Sequence, residues 1–181
     1  MKSLNKLFLL AIISFLSLQN SYAQLSFSHS FGASIYVSSL AAAPGLMYSP
    51  RLNFLELSDE TSLSVGTHLG LGFSYNSQDG AGSFALDVPL VAEINFGHGA
   101  LPDTESNFGG FLGLGYGISR IGSDATFGAD YNEAAGPVFN GGIRTYIWDR
   151  PLGLRASYLI NTKEGYANVF SLGLFYTLGE Y

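Results

Sequence analysis

From Leu25 to Val37 the chain alternates without a slip. Leu25, Phe27, His29, Phe31, Ala33, Ile35 and Val37 interleave with Ser26, Ser28, Ser30, Gly32, Ser34 and Tyr36. A period of two sends successive side chains to opposite faces of a strand, so one face here is greasy and the other small and polar. The same period returns in segment after segment, and hardly a stretch reads at helical period. The breaks between segments are rich in turn residues, which fits hairpins better than helical crossovers. The pattern predicts an all-β chain built as an antiparallel meander.

Eight segments are expected. After Leu25 to Val37 come Leu46 to Leu57, Ser62 to Asn76, Ser83 to Phe96, Phe108 to Arg120, Pro137 to Trp148, Leu152 to Asn161 and Asn168 to Leu178. Each is near the about 9–11 residues that cross a bilayer at a tilt. An even strand count brings both chain ends to one side, the periplasmic one in exported barrels. Residues 58–61, 97–107 and 149–151 then become periplasmic turns, the middle one long. Residues 38–45, 77–82, 121–136 and 162–167 become external loops. Pro50 and Pro89 fall inside strands and each removes a ladder donor, so bulges are expected there.

The first 23 residues read differently. Lys2 and Lys6 precede an apolar run from Leu7 to Leu18, and Ser21-Tyr22-Ala23 supplies small residues for cleavage, the layout of a secretory signal. The run is shorter than the roughly 20 residues of a membrane-spanning helix. Residues 1–23 are therefore expected to be a cleaved signal peptide and residues 24–181 one barrel domain. Removing Lys2 and Lys6 takes the formal charge from −6 to −8 and leaves Lys163 as the last lysine, which argues against nucleic acid as a partner. The chain has no cysteine, hence no disulfides, no thiolate chemistry and no sulfur-ligated metal. Closing a sheet on itself is another source of stability, since it pairs every edge.

Alternation alone does not separate a membrane barrel from a soluble one. The polar rows decide, because they hold Ser, Gly, Asn and Thr where a soluble exterior would be about a quarter to a third charged. Small residues suit a narrow interior. The aromatics of the apolar rows gather near strand ends. Phe54, Phe96, Phe108, Trp148 and Tyr176 fall toward the periplasmic side, and Tyr48, Phe73, Tyr75, Phe84, Tyr116, Tyr158 and Phe170 toward the outer one, as two interfacial girdles would. His29 on an outward row fits only near an interface.

The last segment, Ser171-Leu172-Gly173-Leu174-Phe175-Tyr176-Thr177-Leu178, resembles the C-terminal assembly signal of the small outer-membrane β-barrel proteins, the OmpA/OmpX-like superfamily. The likeness covers the whole mature chain by pattern and is most specific at Ser171, Gly173, Tyr176 and Leu178; Tyr181 is out of step with the outward row. It implies an eight-stranded antiparallel up-and-down transmembrane β-barrel in the outer membrane. Its implied partners are outer-membrane lipid and, during biogenesis, the barrel assembly machinery.

The inward rows carry Arg51, His68, Asp87, Glu93, Arg144 and Arg155, whose mixed signs allow pairing when buried. Eight strands leave an interior that side chains can fill, so this lumen charge network is expected to occlude the barrel. A narrow charge-lined pore is the alternative. A lipid-modifying enzyme is the third reading, with His29, His68 and His98 as the available bases, but serines line every strand and single out none of them. No catalytic residue, metal site or cofactor is expected. Gly113-x-Gly115-x-Gly117 lacks the helix of a nucleotide loop and more simply permits curvature. Asp124, Asp130 and Glu133 read as a solvated acidic loop before they read as a cation site. The function expected is that of an integral barrel with a structural or loop-mediated binding role, its external ligand unknown.

Overall fold

The computed structural model describes residues 25–39, 41–76, 81–123, 131–148 and 150–180. The expected signal segment, Asp124, Asp130 and Tyr181 lie outside them. Nine strands run in chain order: β1 Ser26–Val37, β2 Ala42–Ser58, β3 Thr61–Thr67, β4 Leu69–Asn76, β5 Ala81–Gly97, β6 Phe108–Ser123, β7 Tyr131–Ile147, β8 Arg150–Leu159 and β9 Val169–Glu180. Every pairing is antiparallel, and β3 and β4 both lie between β2 and β5 as two halves of one wall position. β1 pairs β2 on one side and β9 on the other, so eight wall positions close into a ring. Closure satisfies the backbone of both terminal strands, which an open sheet would leave as edges.

The two prolines act differently from the bulges expected of them. β1 pairs β2 through His29 and Pro50 without a shift, and β5 pairs β6 through Pro89 and Gly117 without one. The irregularity sits instead at His68, between β3 and β4. Pairing of Arg51 with Gly66 and of Tyr48 with Leu69 keeps one register across the gap, as do Thr67 with Leu90 and Gly70 with Asp87. That register sets Thr67 against Pro50 and His68 against Pro89. Each proline withholds one N–H from the strand between them, and the ladder is interrupted there while the strand keeps its course. Register shifts occur elsewhere, between His29 and Ser30 and twice in β2 after Asn53.

Four strands extend further toward the outer end than the alternation suggested. β2 begins at Ala42 rather than Leu46, β5 at Ala81 rather than Ser83 and β7 at Tyr131 rather than Pro137, and β6 ends at Ser123 rather than Arg120, so residues 42–45, 81–82, 121–123 and 131–136 are strand and not loop. Alanine or glycine recurs in each of these stretches, which flattens the hydrophobic contrast while leaving the backbone free to pair.

The large apolar side chains of the expected outer rows, among them Phe31, Leu71, Leu112, Leu114, Phe139 and Leu174, are exposed on the outside of the ring. The polar rows face inward and are buried. Such an exterior would aggregate in water and is stable only against hydrocarbon. Trp148, 91% exposed, occupies the β7–β8 turn at a positive φ of 50°. A non-glycine residue there is strained, and the turn thereby holds the indole clear of the wall at the end of the barrel, a position that suits tryptophan in a membrane barrel.

Candidate functional site

The lumen is filled in three storeys. At the outer end Tyr36, Ala43, Ala85, Val91, Ile121, Ala134, Val138, Leu159 and Val169 pack into one buried apolar cluster. Tyr36 donates its hydroxyl to Leu46 O at 3.1 Å and so adds no unpaired polar group to it. The inward rows are therefore mixed over their outer third, where Ser34, Ser83, Asp87, Ser119, Asn132 and Ser171 are buried on the same rows as this cluster.

The middle storey is charged. Arg155 reaches from β8 to Glu93 on β5, Nη2 to Oε1 3.3 Å, and donates Nη1 to Ser49 Oγ at 2.9 Å. Asn140 Nδ2 donates to the same Glu93 oxygen. Arg155 also lies over two rings, Phe111 at 4.9 Å and Phe175 at 5.6 Å, which with Met47 form a second apolar cluster. The rings fit because the wall opposite them is glycine. A Cβ on Gly153 would fall 2.2 Å from Phe175 Cζ, and one on Gly142 2.5 Å from Phe111 Cζ. A cavity of about 20 Å³ beside Ser49, Thr67, Glu93 and Arg155 has room for one water but not for a hydrated ion.

The periplasmic storey is closed by a segment expected to be an open turn. After β5 the chain turns back into the barrel mouth, with Gly97 and Gly99 at positive φ of 62° and 73°, and His98, Gly99, Ala100 and Leu101 are buried. Two arginines grip it. Arg51 Nη2 and Arg144 Nη1 donate to Gly99 O at 2.5 and 3.1 Å, and Ser62 Oγ donates to Ala100 O at 2.6 Å. Arg51 and Arg144 also share Asn95 Oδ1, whose amide donates to Ser64. Arg144 stacks on Phe111 at 4.3 Å, tying this storey to the one above.

The six ionisable residues of the expected network thus separate. Arg155 and Glu93 form the one direct ion pair among them in the described residues; Arg51 and Arg144 meet through Asn95 and Gly99. Asp87 lies apart on β5, opposite Ser119 and Gly70. His68, 1% exposed, approaches Ser157 Oγ with Nε2 at 3.3 Å. Asn95, Asn140, Ser49 and Phe175 are as central as the charged groups. Their inward parity was the available signal, but neutral side chains on a polar row carry no mark of which neighbours they will meet. On the outer rim Glu133 holds Arg120 at 3.1 Å and Lys163 at 2.5 Å, so that acid is spent on ion pairs. Ser171 and Gly173 face the lumen and Leu178 faces out.

His98 gives the periplasmic seal a pH dependence. Its ring lies 4.2 Å from that of Tyr146, and burial first, then Arg144 and Arg51, hold its pKa below the ordinary 6.5. The docked state thus prefers neutral histidine. Docking is undisturbed above about pH 6.5 and weakens as pH falls below it, because only the withdrawn segment takes the proton freely. Proteolysis between Leu101 and Asn107 is expected to speed up from pH 7.5 to pH 5 relative to an unstructured peptide of the same sequence. In His98→Gln that acceleration should vanish, and an equal acceleration there would dismiss His98 as the cause.

No family profile matches the sequence, and no curated protein does. Solved structures match the fold. Ail, the attachment invasion locus protein of Yersinia pestis, in complex with the heparin analogue sucrose octasulfate, is 13% identical, with 85% of this chain and 99% of that one covered and a TM-score of 0.53. Neisserial surface protein A is 16% identical over 84% of this chain and 95% of that one, with a TM-score of 0.50.

Proposed function

We propose that this chain, an outer-membrane β-barrel by its closed ring and apolar exterior, serves as a non-conducting scaffold that presents short external loops. The observation that carries this is the lumen sealed at both ends, by the apolar cluster around Tyr36 and Ile121 and by the Gly99 segment under Arg51 and Arg144. Pure protein in a planar bilayer at pH 7.5 is expected to show no stable conductance, and unboiled protein to migrate differently from boiled on a gel. Steady salt-proportional current would overturn the closed state; heat-indifferent, soluble protein would overturn the barrel.

A narrow pore is the second reading, favoured by one fact: the periplasmic seal is a connecting segment and not part of the wall. Catalysis draws no such support. The His68–Ser157 pair is buried, and His68 Nδ1 has no hydrogen-bond partner among the described residues to orient it. Polyanion binding of the kind seen in the Ail complex would need outer-rim cations, and Arg120 and Lys163 are both engaged by Glu133. The reading includes two partners, outer-membrane lipid around the wall and the assembly machinery at β9 during insertion.

A further inference from the structure

The lipid-facing wall is not evenly convex. Over β5 to β8, with Phe54 of β2, Leu63 of β3 and Phe170 of β9 also lining it, a groove of about 1230 Å³ runs along the outside, more than the roughly 300–1,000 Å³ of a usual small-molecule site. Its small outward residues Gly110, Gly141 and Ala156 are neighbours on the ladders, with Ala92 set apart behind Ile94 and Leu112, and its large ones include Phe96, Leu112, Phe139, Ile143 and Tyr158. The ladders explain the shape. Gly110 pairs with Phe96 and Ile143, and Gly141 with Leu112 and Ala156, so small positions form a trough between rows of large ones. The inward residues Ser64, Glu93, Phe111, Asn140 and Ser157 border it from within the wall, and none of the lumen arginines does.

The wall does not demand glycine at the trough. A Cβ on Gly110 would meet nothing nearer than Gly142 O at 3.3 Å, and one on Gly141 would meet the flexible end of Leu112 at 3.0 Å; at Gly32, by contrast, it would lie 2.0 Å from Leu174 O. At its periplasmic end the groove is lined by Glu60 and Ser106. Asp59, Asp103 and Glu105 are exposed on the same turns, so an apolar trough opens on an acidic rim. That combination fits an apolar tail whose head group ends in an ammonium able to donate hydrogen bonds to a carboxylate, which a primary ammonium does and a quaternary one does not. It disfavours an anionic head group, and a second copy seated symmetrically would bring two acidic rims together.

We infer that the groove holds one phospholipid of the periplasmic leaflet whose head group carries a primary ammonium, the acyl chains lying over Gly110 and Gly141 and the ammonium at Glu60. Native mass spectrometry of the barrel, delipidated and then offered equal amounts of phosphatidylethanolamine, phosphatidylglycerol and phosphatidylcholine, tests this. Wild type should retain one phosphatidylethanolamine in preference to the others. Gly110→Leu and Gly141→Leu fill the trough and should cut retention about tenfold or more, with heat-modifiable migration confirming the fold. Glu60→Gln, on an exposed turn, should keep the lipid but lower the ethanolamine preference over glycerol about threefold to fivefold, the scale of one exposed ion pair. No retained lipid, retention unchanged by both leucine variants, a preference unmoved in Glu60→Gln, or a complex of two chains would each overturn the inference.

Discussion

Glu93→Ala is expected to destabilise the barrel by about 3–5 kcal/mol, the cost of leaving a buried charge without its partner. Glu93 is the carboxylate on which Arg155 and Asn140 converge, all three inside the wall. Removing it leaves the guanidinium with Ser49 and two aromatic rings, which orient a cation without neutralising it. Urea unfolding of the vesicle-inserted protein, followed by the heat-dependent gel shift, measures the loss. Adding Arg155→Leu should recover much of it, because the double variant buries neither charge, and the cycle between the four proteins gives the coupling. A loss below about 1 kcal/mol in Glu93→Ala would mean that the lumen hydrates when the carboxylate goes, and that the middle storey is not dry.

Arg51→Ala combined with Arg144→Ala should free the periplasmic segment from the barrel mouth. Hydrogen bonds from charged donors contribute about 1.5–3 kcal/mol each, and the two to Gly99 O are the charged contacts of the seal, beside Ser62 to Ala100 O and the His98 N–H to Phe108 O. Losing about 3 kcal/mol of docking raises the withdrawn fraction roughly a hundredfold. Either single variant should do far less, since Gly99 O keeps one donor. The rate of proteolysis between Leu101 and Asn107 at pH 7.5 reads the outcome, while the outer cluster around Tyr36, which these substitutions leave intact, keeps bilayer recordings silent. An unchanged rate in a double variant that still shows the heat-dependent shift would mean that the remaining contacts hold the segment, and steady current would mean that the outer cluster does not seal the lumen.

Both expectations depend on contacts of different legibility. The alternation from Leu25 onward identified the strands and sorted inward from outward rows because side-chain direction in a strand is a local property with a period of two. It located Arg51, Glu93, Arg144 and Arg155 on the lumen side for the same reason. It could not say that Arg155 meets Ser49, 106 positions away, or that Arg51 and Arg144 share Asn95. Those meetings depend on register and tilt around the whole ring. Prolines 50 and 89 announced missing donors, yet where the ladder gave way depended on the strand that lies between them. The early start of β7 was hidden because Ala134, Ala135 and Gly136 give no amplitude to a hydrophobic pattern, although they pair as well as any residue.

By itself the sequence determined an antiparallel eight-membered ring with its greasy rows outward, since alternation, turn residues and the near absence of lysine leave little else that such a chain can bury. Tertiary structure alone decided what fills the ring. Gly97 to Leu101 has no strong pattern of its own and reads as a turn. It becomes a seal only because closure brings Arg51, Ser62 and Arg144 from three different strands to the same mouth, where a buried carbonyl must find donors and the arginines must find acceptors.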